Sequence, residues 1–511
     1  MNFSFGKSNL FLFLLIMGDK KENSYSHILK YTGLFGSVQG LGILVGVLRN
    51  KFTALFLGPS GMGLLSLFSS TISVLSSACN FGIPTSGVKF ISEKEHAADG
   101  SQSEKADIAG AVLLVRTYSL LAAFFGAIVC VLLGPLLNGM GLLFPGNHTL
   151  HFILLAPTIF FTILAGGETA ILKATGQLRA LAMQASLLAI LLLLVSVPVY
   201  WIFGERGILP VLFILAFMQW ALNFRYSRRV VRWGVNMRKM TLVAGFPLLR
   251  LGGAFVLSGL MNSGCEFLIR AFLNQQGDLE VVGLFNAGIT IVFVYAGMVF
   301  SVMDQDFYPR LSGISGSRKN EESVKERNLC VNCQLEMNTL LLGPIVAAII
   351  LGLPLIIPIL YNAQFMGMLQ MTQLAAIAML FKAVYLPIEY LPLSRGDSRL
   401  FLIQESFCVI LLIICEIAGY QLDGLRGVGG GIAVAYAIET LAVLVFSRAV
   451  YGYRLSALGF RFCIFQLLIL LLVLFLVFMI SYRDWLYWLI GVIIVLMSTS
   501  FSFRKIRKLV R

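Results

Sequence analysis

The chain has 511 residues, of which 58% are hydrophobic and only 13% are charged, and its net charge is +14. Soluble domains are about half apolar and a quarter charged, so this composition excludes a soluble protein and predicts an all-α polytopic membrane protein. Most basic residues lie in the connections between apolar segments, where membrane topology explains the net positive charge. No nucleic-acid partner is therefore expected.

A membrane-spanning helix needs about 20 apolar residues, and this length finds fourteen predicted spans in the chain. They cover residues 31–57, 62–83, 107–135, 150–172, 181–203, 207–224, 246–273, 281–303, 333–360, 366–393, 399–419, 428–447, 462–481 and 485–503. The apolar run Leu10 to Met17 is too short to cross a membrane, so residues 1–29 are expected to form a cytoplasmic leader.

Lysine and arginine are distributed unevenly between the two sides of these spans. With the N-terminus inside, the outer connections carry only Arg206, Arg426 and Arg483, while every inner connection carries several basic residues. The positive-inside rule therefore predicts a multi-pass membrane protein with both termini in the cytoplasm.

Several sequence features recur about 220 residues further along the chain, and we call this spacing the repeat offset. The basic residue, glycine and Gly-Leu pattern of Lys51, Gly58 and Gly63 returns at Arg270, Gly277 and Gly283. The pattern Gly176, Arg179, Gln184 and Ser186 returns as Gly396, Arg399, Gln404 and Ser406, and Pro84 and Pro309 are similarly placed. These matches predict two parallel, pseudo-symmetric six-helix bundles around a central cavity, with two C-terminal helices added.

The repeat sets the expected domain organisation. It comprises the leader 1–29, a first lobe 30–224, a basic cytoplasmic linker 225–245, a second lobe 246–450, and the last two spans with a basic tail, 451–511. A cargo site is expected in the cleft between the lobes.

Charged residues lie inside the predicted spans, where each costs a few kcal/mol and usually has a function. We expect a cationic cavity for an anionic cargo, formed by Arg49, Lys51, Arg116, Arg270 and Lys382. Carboxylates that serve as gates or ion-coupling sites are expected at Glu168, Glu266, Glu336, Glu405 and Glu439. Two alternatives stay open: Arg49, Lys51 and Arg270 snorkel to the outer interface, or Arg116 and Lys382 form structural ion pairs.

The sequence contains no catalytic constellation and no Walker lysine after a glycine loop, so neither an enzyme nor an ATP-driven pump is expected. No cofactor and no metal ion are expected.

The residues Lys51 to Gly63, Arg270, Val282-Gly283-Leu284, Tyr308 to Ser312 and Lys382 together resemble the Wzx-type O-antigen translocases. This family of polysaccharide flippases belongs to the multidrug/oligosaccharidyl-lipid/polysaccharide exporter (MOP) superfamily. The resemblance covers roughly residues 30–450 and implies two six-helix bundles in a V shape. It implies flipping of an undecaprenyl-pyrophosphate-linked oligosaccharide across the bacterial inner (cytoplasmic) membrane to the periplasmic leaflet for lipopolysaccharide synthesis. The implied energy source is a proton or sodium gradient, used by antiport. Membrane lipids, a polysaccharide polymerase and a chain-length regulator are the implied partners.

Other functions compete with this one. The two extra C-terminal helices are similar to those of lipid II flippases of the same superfamily, which favours a lipid II-type cargo. A multidrug exporter is the nearest rival, but its usual cationic cargo favours an acidic cleft. A polysaccharide polymerase or ligase would carry a large outer loop, and no such loop is predicted here. A scaffold protein would not need charge at mid-membrane depth.

Overall fold

The structure is a computed structural model, which describes residues 24–96, 102–139, 149–229, 231, 234, 246–297, 300, 307–308, 310–314 and 321–510. Residues 1–23 of the expected leader, Pro309 and most of the expected basic linker lie outside these residues. The helices below are numbered α1 to α14 in chain order.

The first half of the protein is residues 24–227. It contains α1 Ser24–Cys79, α2 Ile83–His96, α3 Gln102–Gly139, α4 Thr149–Ala174, α5 Leu178–Phe203 and α6 Ile208–Ser227. The second half is residues 246–451. It contains α7 Phe246–Gln276, α8 Leu279–Ile289 with a π-helical continuation Thr290–Ala296, α9 Glu321–Leu360, α10 Leu369–Ala376, α11 Ala378–Ser394 and α12 Ser398–Tyr451. The added helices are α13 Ala457–Met479 and α14 Trp485–Val510.

Two of these helices turn back on themselves and cross the membrane twice. Helix α1 is broken at Gly58, which has φ 66° and ψ −173°, and α12 is broken at Asp423 and Gly424. Residues 24–57 and 59–79 therefore form two legs of α1, and residues 398–422 and 425–451 form two legs of α12. With α10 and α11 together making one crossing, helices of the described residues occupy all fourteen predicted positions.

The outer surface of these helices is apolar, as hydrocarbon requires. Within the described residues, nine helical stretches are long and apolar enough to cross a membrane, and three of them contain a turn between two crossings. Large apolar side chains such as Leu132, Leu194, Ile359, Leu441 and Phe475 are exposed on the outside of the fold. The protein is an all-α polytopic membrane protein.

The same backbone turns recur in both halves. Gly176 and Gly396 both have positive φ, 63° and 75°, and each closes the C-terminus of a helix. The amide after the first glycine donates to the Leu172 carbonyl at 2.9 Å, and the amide after the second donates to the Pro392 carbonyl at 3.0 Å. Each residue of the first turn is separated from its counterpart in the second by the repeat offset, so the internal repeat is also a repeat of conformation.

The halves meet mainly through α1, which packs against α7, α8 and α9. Within the first half α4 packs against α3 and α6, and within the second half α12 packs against α10 and α11. Helices α13 and α14 pack on α9. We call the membrane side with Gly58 the Gly58 face and the opposite side, with Gly82, the Gly82 face.

Candidate transport cavity

A cavity of about 500 Å³ lies where the two halves meet, and we call it the transport cavity. It is lined by both legs of α1, by α5 and α6, and by α7, α8 and its continuation from the second half. Its charged and amide side chains are Arg49, Asn50, Glu266, Arg270 and Asn286. Two arginines against one glutamate give its described lining a net positive charge.

Arg270 is held at the wall of the cavity by its neighbours. Its Nη1 donates to Glu266 Oε2 at 3.0 Å, one helical turn away, and its Nη2 donates to Asn286 Oδ1 at 3.1 Å. The arginine side chain is 11% exposed and its partner carboxylate 64% exposed. The Arg270 Nε is buried and has no hydrogen-bond partner among the described residues, so one donor of the guanidinium is unused.

Arg49 enters the cavity from the other half. Its Nε and Nη2 donate to Asn50 Oδ1 at 3.2 and 2.8 Å. The repeat pairs Arg270 with Lys51, and Asn50 is the residue beside Lys51 that lines this cavity. Of the five predicted basic site residues, Arg49 and Arg270 are the two that line the transport cavity.

Lys51 faces away from this cavity. Its ammonium donates to the carbonyl of Pro358 at 2.7 Å and to the carbonyl of Tyr361. These carbonyls end α9, where the helix dipole favours a cation. Asn362 donates to the carbonyl of Ala54 at 3.2 Å, which adds a second bond between α1 and the end of α9. Lys51 therefore joins the two halves on the Gly58 face.

Arg116 forms a buried ion pair inside the first half. Its Nε lies 3.0 Å from Glu168 Oε1, and the two side chains are 1% and 4% exposed. The guanidinium also donates to Ser227 and to the carbonyl of Val231, and Ser227 donates to Glu168. This pair joins α3, α4 and the end of α6 away from the transport cavity, as the structural alternative for Arg116 expects.

Lys382 lines a second cavity of about 340 Å³ within the second half, which we call the carboxylate cavity. Glu389, Glu405 and Glu439 share this cavity with it. The Lys382 ammonium lies 5.8 and 5.7 Å from the ring centroids of Phe293 and Phe300. The structure thus brings two of the predicted carboxylates, Glu405 and Glu439, to one lysine.

The remaining predicted carboxylate, Glu336, is buried on α9 and accepts a hydrogen bond from Ser456 at the start of α13. Sequence reasoning missed Glu389, which lines the carboxylate cavity. It is a carboxylate inside a predicted span, the same signal that selected Glu405. The roles of these residues in binding or coupling stay predictions.

The transport cavity is bounded on both faces by contacts between glycines. On the Gly58 face, a Cβ atom on Gly63 would overlap the carbonyl of Leu279, and one on Gly283 would overlap that of Pro59. On the Gly82 face, a Cβ atom on Gly252 would overlap the carbonyl of Phe81, which is next to Gly82. The two halves therefore approach backbone to backbone at each end of the cavity.

No protein-family model matches the chain, and no curated protein matches it. Solved structures do share its fold. An inward-facing multidrug resistance MATE family transporter of the MOP superfamily is 15% identical with a TM-score of 0.64, covering 80% of this chain and 94% of that one. The lipid II flippase MurJ in an inward closed conformation is 16% identical with a TM-score of 0.66, covering 92% and 99%.

The Vibrio cholerae MATE transporter VcmN in the bent form is 15% identical with a TM-score of 0.55, covering 87% of this chain and 99% of that one. The TM-scores show that the fold is shared. The solved proteins with this fold are transporters and a flippase, not enzymes. The chain therefore has the fold that MATE transporters and the MurJ flippase of the MOP superfamily share.

Proposed function

We propose that the protein is a flippase that moves an undecaprenyl-pyrophosphate-linked oligosaccharide, such as an O-antigen repeat unit, across the membrane. The single observation that carries this proposal is that Arg49 and Arg270, from different halves, line one cavity. Guanidinium groups bind phosphate oxygens through paired hydrogen bonds, and a diphosphate offers several such oxygens.

The direction of transport follows from the distribution of charge. The basic residues at the ends of α4, α6 and α14 lie on the Gly82 face, which supports a cytoplasmic position for that face. Both termini are then cytoplasmic, in a bacterial inner membrane, and the Gly58 face is periplasmic. The cargo moves from the Gly82 face to the Gly58 face.

The proposed cycle uses the glycine contacts as gates. The contact at Gly82 and Gly252 parts to admit the sugar head group, while the prenyl chain stays in the lipid. Arg49 and Arg270 bind the diphosphate. Exchange of a proton or sodium ion, which we assign to the carboxylate cavity, then favours parting at Gly63 and Gly283, and the head group leaves on the Gly58 face.

The partners follow from this cargo. Membrane lipids cover the exposed apolar side chains, and a polysaccharide polymerase and a chain-length regulator would use the flipped units. No cofactor takes part in the cycle, because the ion gradient supplies the energy.

A lipid II-type cargo is the second candidate. It is favoured by the two added helices α13 and α14 and by the likeness to MurJ, which covers 92% of this chain, where the likeness to the two MATE transporters covers 80% and 87%. A multidrug exporter is disfavoured, because two arginines at the cavity wall would repel a cationic drug.

The test is reconstitution of the full chain into liposomes with one lipid at a time. We expect an undecaprenyl-pyrophosphate-linked oligosaccharide to become accessible to an external sugar-modifying enzyme faster than in protein-free liposomes, and faster again with an ion gradient. Movement of lipid II alone would favour the second candidate. Transport of a cationic drug and of neither lipid would overturn the proposal.

A further inference from the structure

A third cavity, of about 580 Å³, lies inside the first half beside the transport cavity, and we call it the N-half cavity. The second leg of α1 and helices α4, α5 and α6 form its walls. Four residues line both cavities: Ser69, Leu192, Leu212 and Leu215. Because the cavities share these walls, one elongated ligand can occupy both.

The polar groups of the N-half cavity are all uncharged. Its hydroxyl and amide side chains are Ser69, Thr158, Thr162, Gln184 and Gln219, and its described lining contains no lysine, arginine, aspartate or glutamate. The adjoining transport cavity carries Arg49, Glu266 and Arg270. Charge is therefore separated along the combined space, with ionic groups at one end and neutral hydrogen-bonding groups at the other.

Thr158 has a hydroxyl that the fold leaves unsatisfied. The residue is 2% exposed, and its Oγ1 has no hydrogen-bond partner among the described residues. Thr162, one turn along the same helix, donates to the Thr158 carbonyl at 2.8 Å, which is the usual way for a helical threonine to satisfy its hydroxyl. An unpaired buried hydroxyl costs free energy, and a hydrogen bond to a ligand in the cavity that Thr158 lines would remove this cost.

The position of the N-half cavity fits the proposed path of the cargo. Gln184 is in the second turn of α5, which begins at Leu178 near the Gly82 face, and Gln219 is about two turns before the end of α6 on the same side. The cavity therefore extends from the transport cavity toward the Gly82 face, from which the cargo is proposed to arrive.

We propose that the N-half cavity is the subsite for the uncharged sugar part of the cargo, whose diphosphate is bound at Arg49 and Arg270. This inference rests on the proposed function. Sugars present many hydroxyl donors and acceptors without charge, and the amides of Gln184 and Gln219 can bond both kinds. An acyl chain in the same space would leave the Thr158 hydroxyl and both amides unpaired.

The experiment compares two soluble probes on the purified full chain. One is farnesyl diphosphate, and the other is farnesyl diphosphate that carries a neutral disaccharide. We expect the sugar-bearing probe to bind more tightly. Gln184→Leu and Gln219→Leu should each weaken its binding about 3- to 10-fold, as the loss of one hydrogen bond does, with binding of farnesyl diphosphate unchanged.

Thr158→Val tests the subsite without disturbing the fold, because it removes a hydroxyl that has no partner among the described residues and keeps the side-chain shape. It should lower affinity for the sugar-bearing probe alone, and the thermal stability of the empty protein should stay the same or rise. Gln421→Leu is the matched control, since Gln421 is exposed at the end of the first leg of α12, and it should bind both probes like the parent.

The two levels of the proposal fail in different ways. If neither probe binds, or Arg270→Gln changes neither affinity, the proposed function is wrong. If both probes bind equally well and Arg270→Gln weakens both, the function stands and the sugar subsite is wrong. Equal weakening of both probes by Gln184→Leu and Gln219→Leu would also contradict the subsite.

Discussion

Gly63 and Gly283, which are counterparts at the repeat offset, pack backbone against backbone where the two halves meet on the Gly58 face. A Cβ atom on Gly63 would overlap the Leu279 carbonyl, and one on Gly283 would overlap the Pro59 carbonyl. Leu279 is in turn the counterpart of Pro59, so the two contacts are related by the same approximate two-fold symmetry. This backbone contact between the halves therefore lies on the approximate symmetry axis of the repeat.

This contact predicts that Gly63→Ala or Gly283→Ala opens the transport cavity to the Gly58 face. Overpacking costs about 1–3 kcal/mol, and parting of the two halves relieves it. In a cysteine-free background with Ser196→Cys in the cavity wall, either variant should raise the rate of labelling by a membrane-impermeant maleimide from that face. Gly430→Ala is the control, because a Cβ atom there meets nothing within 4 Å. Labelling at the parent rate in Gly283→Ala would contradict the gate.

Lys51 offers a second test of the same closure. Its bonds to the carbonyls of Pro358 and Tyr361 are charge-assisted, and such bonds contribute about 1.5–3 kcal/mol. Lys51→Met should therefore raise the same labelling rate at Ser196→Cys, and Lys51→Arg should restore much of the closure. If Lys51→Met weakens the binding of farnesyl diphosphate and leaves the labelling rate unchanged, Lys51 binds the cargo instead of closing the cavity.

The Arg116–Glu168 pair predicts a stability effect without a cargo effect. Arg116→Met leaves the Glu168 carboxylate buried without its cation, which typically costs about 3–5 kcal/mol. The variant should melt at a clearly lower temperature in detergent, and the double variant Arg116→Met with Glu168→Leu should recover most of the loss. A double variant no more stable than the single one would show that the pair is not the cause.

The carboxylate cavity predicts where ion coupling is lost. Glu439→Gln and Glu389→Gln should abolish the acceleration of flipping by an ion gradient and leave slow, gradient-independent flipping, because they remove ionisable groups beside Lys382. Glu326→Gln is the control, an exposed carboxylate on α9 that does not line this cavity. If an ion gradient accelerates flipping in both cavity variants as it does in the parent, the carboxylate cavity is not the coupling site.

The apolar runs predict all fourteen helical positions, because the hydrocarbon fixes both the length and the composition of a spanning helix. The repeat is also visible in the sequence. Its turns need a positive φ, which glycine adopts more easily than other residues, so glycine stands at the same place in both copies. Gly176 and Gly396 carry that signal in both halves.

The cavity residues are less predictable, because the sequence does not say which neighbour each helical face meets. Arg49 and Lys51 are two residues apart, a rotation of about 200° around the helix, so they point to nearly opposite sides of it. Arg49 lines the transport cavity and Lys51 meets the end of α9. The partner of Arg116 lies 52 residues away in the sequence, and only the packing of α3 on α4 brings the two together.

The most direct measurement is the initial rate at which Arg270→Gln flips an undecaprenyl-pyrophosphate-linked oligosaccharide in liposomes. Arg426→Gln is its matched control, an arginine 47% exposed that pairs with Asp423 on the Gly58 face at 3.4 Å, outside the cavity. A fall of at least about tenfold is expected in Arg270→Gln, since a charged hydrogen bond contributes about 1.5–3 kcal/mol, while Arg426→Gln keeps the parent rate. Equal rates in the two variants would contradict a cationic cavity that holds the diphosphate.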